Sequence, residues 1–201
     1  MRYDPTTALI VVDVQNDFAD PDGSLSVGGA RAVVAAVNRE IAAALADGAT
    51  VIATQDWHPD VTPHFAKDGG PWPVHCVGGT WGAELEPGLE LPDAAPRVRK
   101  GANGEDGYSG FTMRDPTTGT TSPTELDDLL REAKVDSVVV VGLATDYCVK
   151  ATALDAIGLG YETAVITDAI AAVDVEPGDG DRALDELAAT GVELLSVAPA
   201  A

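Results

Sequence analysis

Short apolar runs recur along this chain at intervals that a helix can fill, and that alternation limits the fold more than any other feature. Thr7-Ala8-Leu9-Ile10-Val11-Val12-Asp13 is continuously apolar until it ends on an acid, the pattern of a strand buried on both faces. Thr50–Thr54, Ser137–Val141 and Thr163–Ile166 are β-branched runs of similar length, Val192–Leu195 is a weaker fifth, and Arg97–Arg99 adds a short candidate. Between them the sequence predicts helices. Arg31–Asp47 places Val34, Val37, Ile41 and Leu45 on one face and stops at Gly48. Ser122-Pro123-Thr124-Glu125 reads as a capping box with Pro at the first helical position, followed by Leu126, Leu129 and Leu130 on the buried side. Further helices are expected over Asp146–Ile157 and Gly180–Thr190. Parallel strands need crossover connections, usually helical. The expected fold class is therefore α/β, a doubly wound and mostly parallel sheet with helices on both faces.

With 201 residues, 45% of them hydrophobic, the chain suits one well-buried domain over 1–201 and is short for two. Residues 56 to about 121 interrupt the alternation with most of the Pro and all three Trp, and a long ordered insertion of this kind is more often functional than decorative. A formal charge of −21, from 33 acidic and 12 basic residues, repels phosphate backbones and anionic membranes, so a small-molecule ligand is expected rather than nucleic acid or lipid. Met1-Arg2-Tyr3-Asp4-Pro5 opens no leader-like apolar segment and no run is long enough to span a bilayer, which predicts a cytoplasmic protein. Cys76 and Cys148 are too few for a disulfide framework.

All three histidines, His58, His64 and His75, fall within eighteen residues of that insertion, and Asp56 stands two places before the first. Imidazoles with a carboxylate form the donor set of a divalent transition-metal site. Any one of these histidines alone is an ordinary loop residue; the trio with Asp56 is a candidate ligand set. Cys76 is either a fourth soft ligand or a packed thiol, and packing is expected because Asp56 and the histidines already complete a set.

Ligands in an open parallel sheet sit beyond the carboxyl ends of the strands. Asp13, Asp56 and Lys100 each follow a predicted strand, and Cys148 lies where Gly142-Leu143-Ala144-Thr145-Asp146-Tyr147-Cys148 turns from strand to helix. A helix N-terminus favours thiolate over thiol, so Cys148 is a candidate nucleophile, with Asp13 to take its proton, Lys100 to hold charge and turn amides to bind an oxyanion. Each residue alone has an ordinary structural reading; their shared position at strand ends supports the joint one. Phe18, Trp72 and Tyr108 are either core or the walls of a pocket for a flat ring. No G-x-S-x-G elbow, Walker loop or post-strand G-x-G-x-x-G is present.

Six ordered motifs resemble the nicotinamidases, members of the isochorismatase-like cysteine hydrolases: Val12–Phe18, Asp56-Trp57-His58-Pro59 with His64, Trp72–Cys76, Arg99-Lys100-Gly101, Tyr108–Phe111 and Gly142–Val149. The resemblance runs in order from residue 8 to about residue 170 and implies a Rossmann-like three-layer fold. It implies a nicotinamide amidohydrolase releasing nicotinate and ammonia for NAD salvage, with pyrazinamide as a further substrate. Asp13 would be the acid/base, Lys100 the electrostatic support and Cys148 the nucleophile forming a thioester. Asp56, His58, His64 and His75 would hold Zn²⁺, Fe²⁺ or Mn²⁺, which meets the pyridine nitrogen, while Phe18, Trp72 and Tyr108 would line the ring pocket. The Leu143–Ala144 bond corresponds to a cis peptide, with the N–H groups of Ala144 and Cys148 as the oxyanion hole. Tyr147, where several relatives have His, and the Gly-rich Asn103–Gly107 depart from the pattern. The family includes monomers and homo-oligomers, so both states stay open. The alternatives are another amide or carbamoyl hydrolase of the same superfamily, which needs no metal to grip a ring nitrogen, and a non-catalytic metal-binding scaffold, which needs no cysteine at the strand-to-helix turn.

Overall fold

The computed structural model describes residues 3–196; Met1, Arg2 and residues 197–201 of the expected domain lie outside them. In chain order the strands are β1 (Thr7–Val12), β2 (Thr50–Asp56), β3 (Arg97–Lys100), β4 (Thr112–Arg114), β5 (Thr121–Pro123), β6 (Ser137–Leu143), β7 (Glu162–Ala171) and β8 (Glu193–Leu195). The helices are the single turn α1 (Asn16–Ala19), α2 (Ala30–Ala46), α3 (Leu126–Glu132), α4 (Lys150–Gly158) and α5 (Asp179–Ala189). Six strands form one parallel sheet in the order β3-β2-β1-β6-β7-β8, and β4 and β5 make a separate antiparallel hairpin.

Every residue of β1 is buried, as its unbroken apolar run requires, and the pleat sends alternate side chains to opposite faces. Leu9 and Val11 pack with Val33, Val37 and Ile41 of α2. Ala8, Ile10 and Val12 pack with Leu126 and Leu130 of α3, Ala153 and Ala156 of α4, and Leu187 of α5. Each fully buried Leu or Ile contributes about 1.5–3 kcal/mol. Helices thus cover both faces, as the alternating pattern predicts.

Two local expectations are corrected. Leu45 is 48% exposed, and the inward position in the last turn of α2 is Ala44. A period of 3.6 accommodates either residue, and of the two it is Ala44 that is buried. Residues 122–125 do not form the helix start either: Ser122 and Pro123 pair with Met113 and Thr112 in the hairpin. The helix begins only at Leu126, whose N–H donates to Thr124 Oγ1 at 3.1 Å. Pro123 biases Ser122 toward extended backbone, and strand pairing then delays the helix, leaving Glu125 at the N-cap position and Thr124 just before it.

The sheet grows from β1 toward β3 on one side and from β6 toward β8 on the other. The β1–β6 boundary is therefore the topological switch point, where a crevice opens beyond the carboxyl ends. Gly142 lets the two strands meet there: its φ is +115°, and a Cβ would collide with the Val12 carbonyl. Residues 57–96 lie after β2, with only short 3₁₀ turns at Ala66–Asp68 and Trp81–Ala83.

Candidate active site

Asp13 follows β1 with φ +48°, a left-handed conformation that Asp tolerates better than most residues. Its N–H donates to the Thr54 carbonyl at 3.2 Å, and its Oδ1 accepts from Thr54 Oγ1 at 2.6 Å. Lys100, the last residue of β3, is 1% exposed. Its Nζ donates to Asp13 Oδ2 at 2.7 Å and to the Tyr108 carbonyl at 3.1 Å, and lies 3.4 Å from Cys148 Sγ and 3.0 Å from Asp56 Oδ1. Cys148 sits in a wide π turn, Thr145–Val149, between β6 and α4. The structure therefore brings all four expected strand-end residues to one buried point.

One ammonium cannot neutralise two carboxylates, and the shortfall appears in the proton affinities. Burial, together with the nearby Asp56 charge, raises the Asp13 carboxyl despite Lys100. Burial also acts to raise Asp56, but Lys100, His58 and His75 outweigh it and hold that carboxyl far below its ordinary value. Burial opposes the charge on Lys100, but Asp13, Asp56 and Cys148 push the amine well above its usual range. Cys148 corrects an expectation. Burial, helped by Asp13 and Asp56, drives its thiol well up, and neither Lys100 nor the helix start reverses that. The resting group is a thiol close to a carboxylate with raised proton affinity.

The second cluster lies beside the first. Ligand-capable nitrogens of His58, His64 and His75 all fall within 4.8 Å of one another, and Asp56 Oδ2 is 3.8 Å from Nε2 of both His58 and His75. All three imidazoles are buried. His75 Nδ1 is 2.7 Å from the Pro73 carbonyl, which makes Nδ1 the donor and leaves the Nε2 lone pair toward Asp56. Among the described residues neither ring nitrogen of His58 has a partner within hydrogen-bond distance, a costly condition for a buried ring unless something else takes a lone pair. Burial pulls His64 down to about 4 and lowers His75 despite Asp56, so both stand as neutral donors at neutral pH. Convergent neutral imidazoles, an ionised carboxylate and an orphaned ring fit a divalent metal ion. Cys76 is buried against the Gly82 carbonyl, outside this set, with its thiol raised by burial: a packed residue.

Between the clusters opens a narrow, mostly apolar cleft, the kind of concave site with a few convergent polar groups in which small molecules bind. Phe18, Trp72 and Tyr108 line it, as do Ala144 and Cys148, the two residues expected to supply oxyanion amides. The Leu143–Ala144 peptide is cis. Tyr147, expected only as a departure, completes an aromatic wall: its ring stands edge-on to Trp72 at 5.0 Å and to Tyr108 at 5.2 Å, while Trp72 Nε1 donates to the Tyr108 hydroxyl at 3.1 Å. Leu25 and Val173, which belong to no motif, also line the wall, as does Leu143 of the cis peptide. Among the described residues no helix is long and apolar enough to cross a membrane.

Comparison with known proteins gives four concordant findings. The isochorismatase domain model matches residues 7–199. The nicotinamidase of Escherichia coli (strain K12) is 41% identical over 210 residues, covering 96% of each chain. Among solved structures, the pyrazinamidase of Pyrococcus horikoshii in complex with zinc has a TM-score of 0.85 at 39% identity, over 96% of this chain and 100% of that one. PnC1 from L. infantum in complex with nicotinate has a TM-score of 0.86 at 36% identity, over 98% of this chain and 96% of that one.

Proposed function

The chain belongs to the isochorismatase family, and on that premise we propose that it hydrolyses nicotinamide to nicotinate and ammonia, with pyrazinamide as a second ring amide. It is a hydrolase of amide carbon–nitrogen bonds, and its product returns the pyridine ring to NAD synthesis. We assign it to the cytoplasm. The observation that carries the reading is the position of Lys100 Nζ, 2.7 Å from Asp13, 3.4 Å from Cys148 and 3.0 Å from Asp56. One buried cation there serves a nucleophile with its base on one side and a metal-ligand set on the other.

The chemistry follows from the proton balance. As substrate enters, the Cys148 thiol proton passes to Asp13, whose raised proton affinity lets it accept, and sulfur bonds to the amide carbon. Lys100 keeps Asp13 oriented and offsets the charge that develops. Amides of Ala144 and Cys148 hold the oxyanion. The carbon–nitrogen bond breaks as Asp13 returns its proton to nitrogen, and ammonia leaves a thioester. Water then attacks that carbonyl, giving a proton to Asp13; the carbon–sulfur bond breaks, that proton goes back to sulfur, and the acid departs, ionising to nicotinate as the released ammonia takes up the proton to become ammonium. Atoms and charge balance without a redox partner.

Phe18, Trp72 and Tyr108 wall the ring, and Tyr147 extends that wall. Asp56, His58, His64 and His75 would hold one divalent ion, Zn²⁺, Fe²⁺ or Mn²⁺. Bound there, the ion supplies an electron-pair acceptor that fixes the ring nitrogen. The test is ammonia release from nicotinamide by metal-loaded protein, beside a chelated sample and Cys148→Ala. Release that both changes remove supports the reading; no release by folded, loaded protein overturns it.

A further inference from the structure

A buried carboxylate outside the catalytic set holds the histidine cradle together. Asp17, in the single turn α1, is 8% exposed. Its Oδ1 accepts the Ser24 N–H at 3.0 Å and its Oδ2 accepts the Cys76 N–H at 2.7 Å. Among the described residues no cation pairs with it, and both oxygens accept from main-chain donors. Cys76 is the junction of the cradle. It follows His75 directly, and its carbonyl accepts the His58 N–H at 2.9 Å. Its φ is +46°, a left-handed conformation costly for a side chain with a Cβ and maintained only where the surroundings impose it.

From this geometry we propose that Asp17 is a positioning residue for the metal ligands: by gripping the Cys76 peptide in its left-handed conformation it sets His75 and, through the Cys76 carbonyl, His58. The proposal rests on the metal reading above. It accounts for the residue type. Two main-chain N–H groups point at the two oxygens, so a carboxylate satisfies both, whereas Asn would turn an NH₂ against one of them. It also accounts for Gly82, because a Cβ at that position would fall on the Asp17 carboxylate. The same grip serves the ring pocket, since the Asp17 carbonyl accepts the Leu25 N–H at 3.0 Å and the next residue, Phe18, stands 5.6 Å from the His75 ring.

The experiment is zinc affinity by competition with a chromophoric chelator, for the parent, Asp17→Asn and Gly82→Ala, well below each protein's unfolding temperature. Removing a group that orients a metal ligand costs about 10–100-fold in affinity. Both variants are expected to lose zinc affinity in that range and to raise KM for nicotinamide more than they lower kcat, while iodoacetamide alkylates Cys148 at the parent rate. Gly82→Ala keeps the carboxylate but displaces it, so it carries the test if Asp17→Asn does not fold. A folded variant binding zinc within twofold of the parent overturns the role of Asp17. A parent that binds no zinc overturns the metal reading itself, so the two failures are distinct.

Discussion

The two halves of the site are built by different means. The Asp13–Lys100–Cys148 half stands on ends of β1 and β3 and on the turn after β6, where buried strands fix the backbone to within the tolerance of the sheet. The histidine half lies in loop, with His64 and His75 outside any strand or long helix, and its order comes from side chains gripping main chain. Asp17, for example, accepts the Cys76 N–H at 2.7 Å, and where the loop leaves β2 Gln15 donates to the Asp56 carbonyl at 2.7 Å and accepts the Asp56 N–H at 2.8 Å. Sheet ends give chemistry its rigidity at no extra cost in polar groups, whereas a loop cradle needs buried polar residues dedicated to holding it. Lys100 alone belongs to both halves.

Separability of the halves can be tested by damaging each in turn. Cys148→Ala should lower kcat by roughly a thousand-fold or more, the scale of losing a nucleophile, while zinc affinity stays at the parent value; a fall in affinity would mean the halves are one unit. Lys100→Met strikes the shared residue. It leaves the Asp13 and Asp56 carboxylates facing each other underground without their cation, and breaking such a buried arrangement costs about 3–5 kcal/mol, to be read as a lower denaturation midpoint together with loss of turnover. Retained stability would show that Asp13 simply takes up a proton in the variant. His58→Asn should weaken zinc by more than the ~10–100-fold of an orienting residue and raise KM, with the alkylation rate of Cys148 unchanged; a parallel loss of thiol reactivity would again join the halves.

The same contrast explains how much was legible in the sequence. The sheet half could be read because buried parallel strands announce themselves as apolar runs, and a reactive residue just after such a run falls at the carboxyl edge wherever the strand is placed. Asp13 and Cys148 met in that way, whereas Lys100 ends the short, half-exposed edge strand Arg97–Lys100, which carries no apolar run. The protonation of Cys148 could not be read: the helix start argued for thiolate, but the burial and carboxylates that decide the matter arise only when separate strands come together. In the cradle, donor types were visible as a cluster of His and Asp, and the six-motif resemblance supplied their roles. Its supports were not visible. Asp17 and Gln15 reach across about 40 to 60 positions to peptides at Asp56 and Cys76, and nothing in local periodicity signals a side chain bound to distant main chain. Wall residues Leu25 and Val173 come from loops with no pattern of their own. Ser122–Glu125 failed for another reason, since the local capping signal competed with hairpin pairing that only β4 could reveal.

The smallest expected effect concerns acid, and it separates the halves by the sign of a slope. Burial lowers His64 from 6.5 to about 4 and lowers His75 in the same direction. An imidazole depressed on folding binds fewer protons in the native state than in the unfolded chain, so between pH 6.5 and about 4 stability must fall as pH falls. Asp13 acts oppositely: raised on folding, its carboxyl favours the native state at low pH and loses that contribution as pH rises through its folded value. Chelated protein should therefore show a melting temperature that drops on acidification through the histidine window, with the drop made shallower by His64→Asn, which removes one depressed imidazole and leaves Asp13 in place. Zinc-loaded protein should hold a higher plateau until protons compete for the ligands, because the ion binds only unprotonated imidazole. An unchanged slope in His64→Asn would mean that its ring is not withheld from protons in the folded chain, and the cradle would then be a more open, wetter structure than the sheet half beside it.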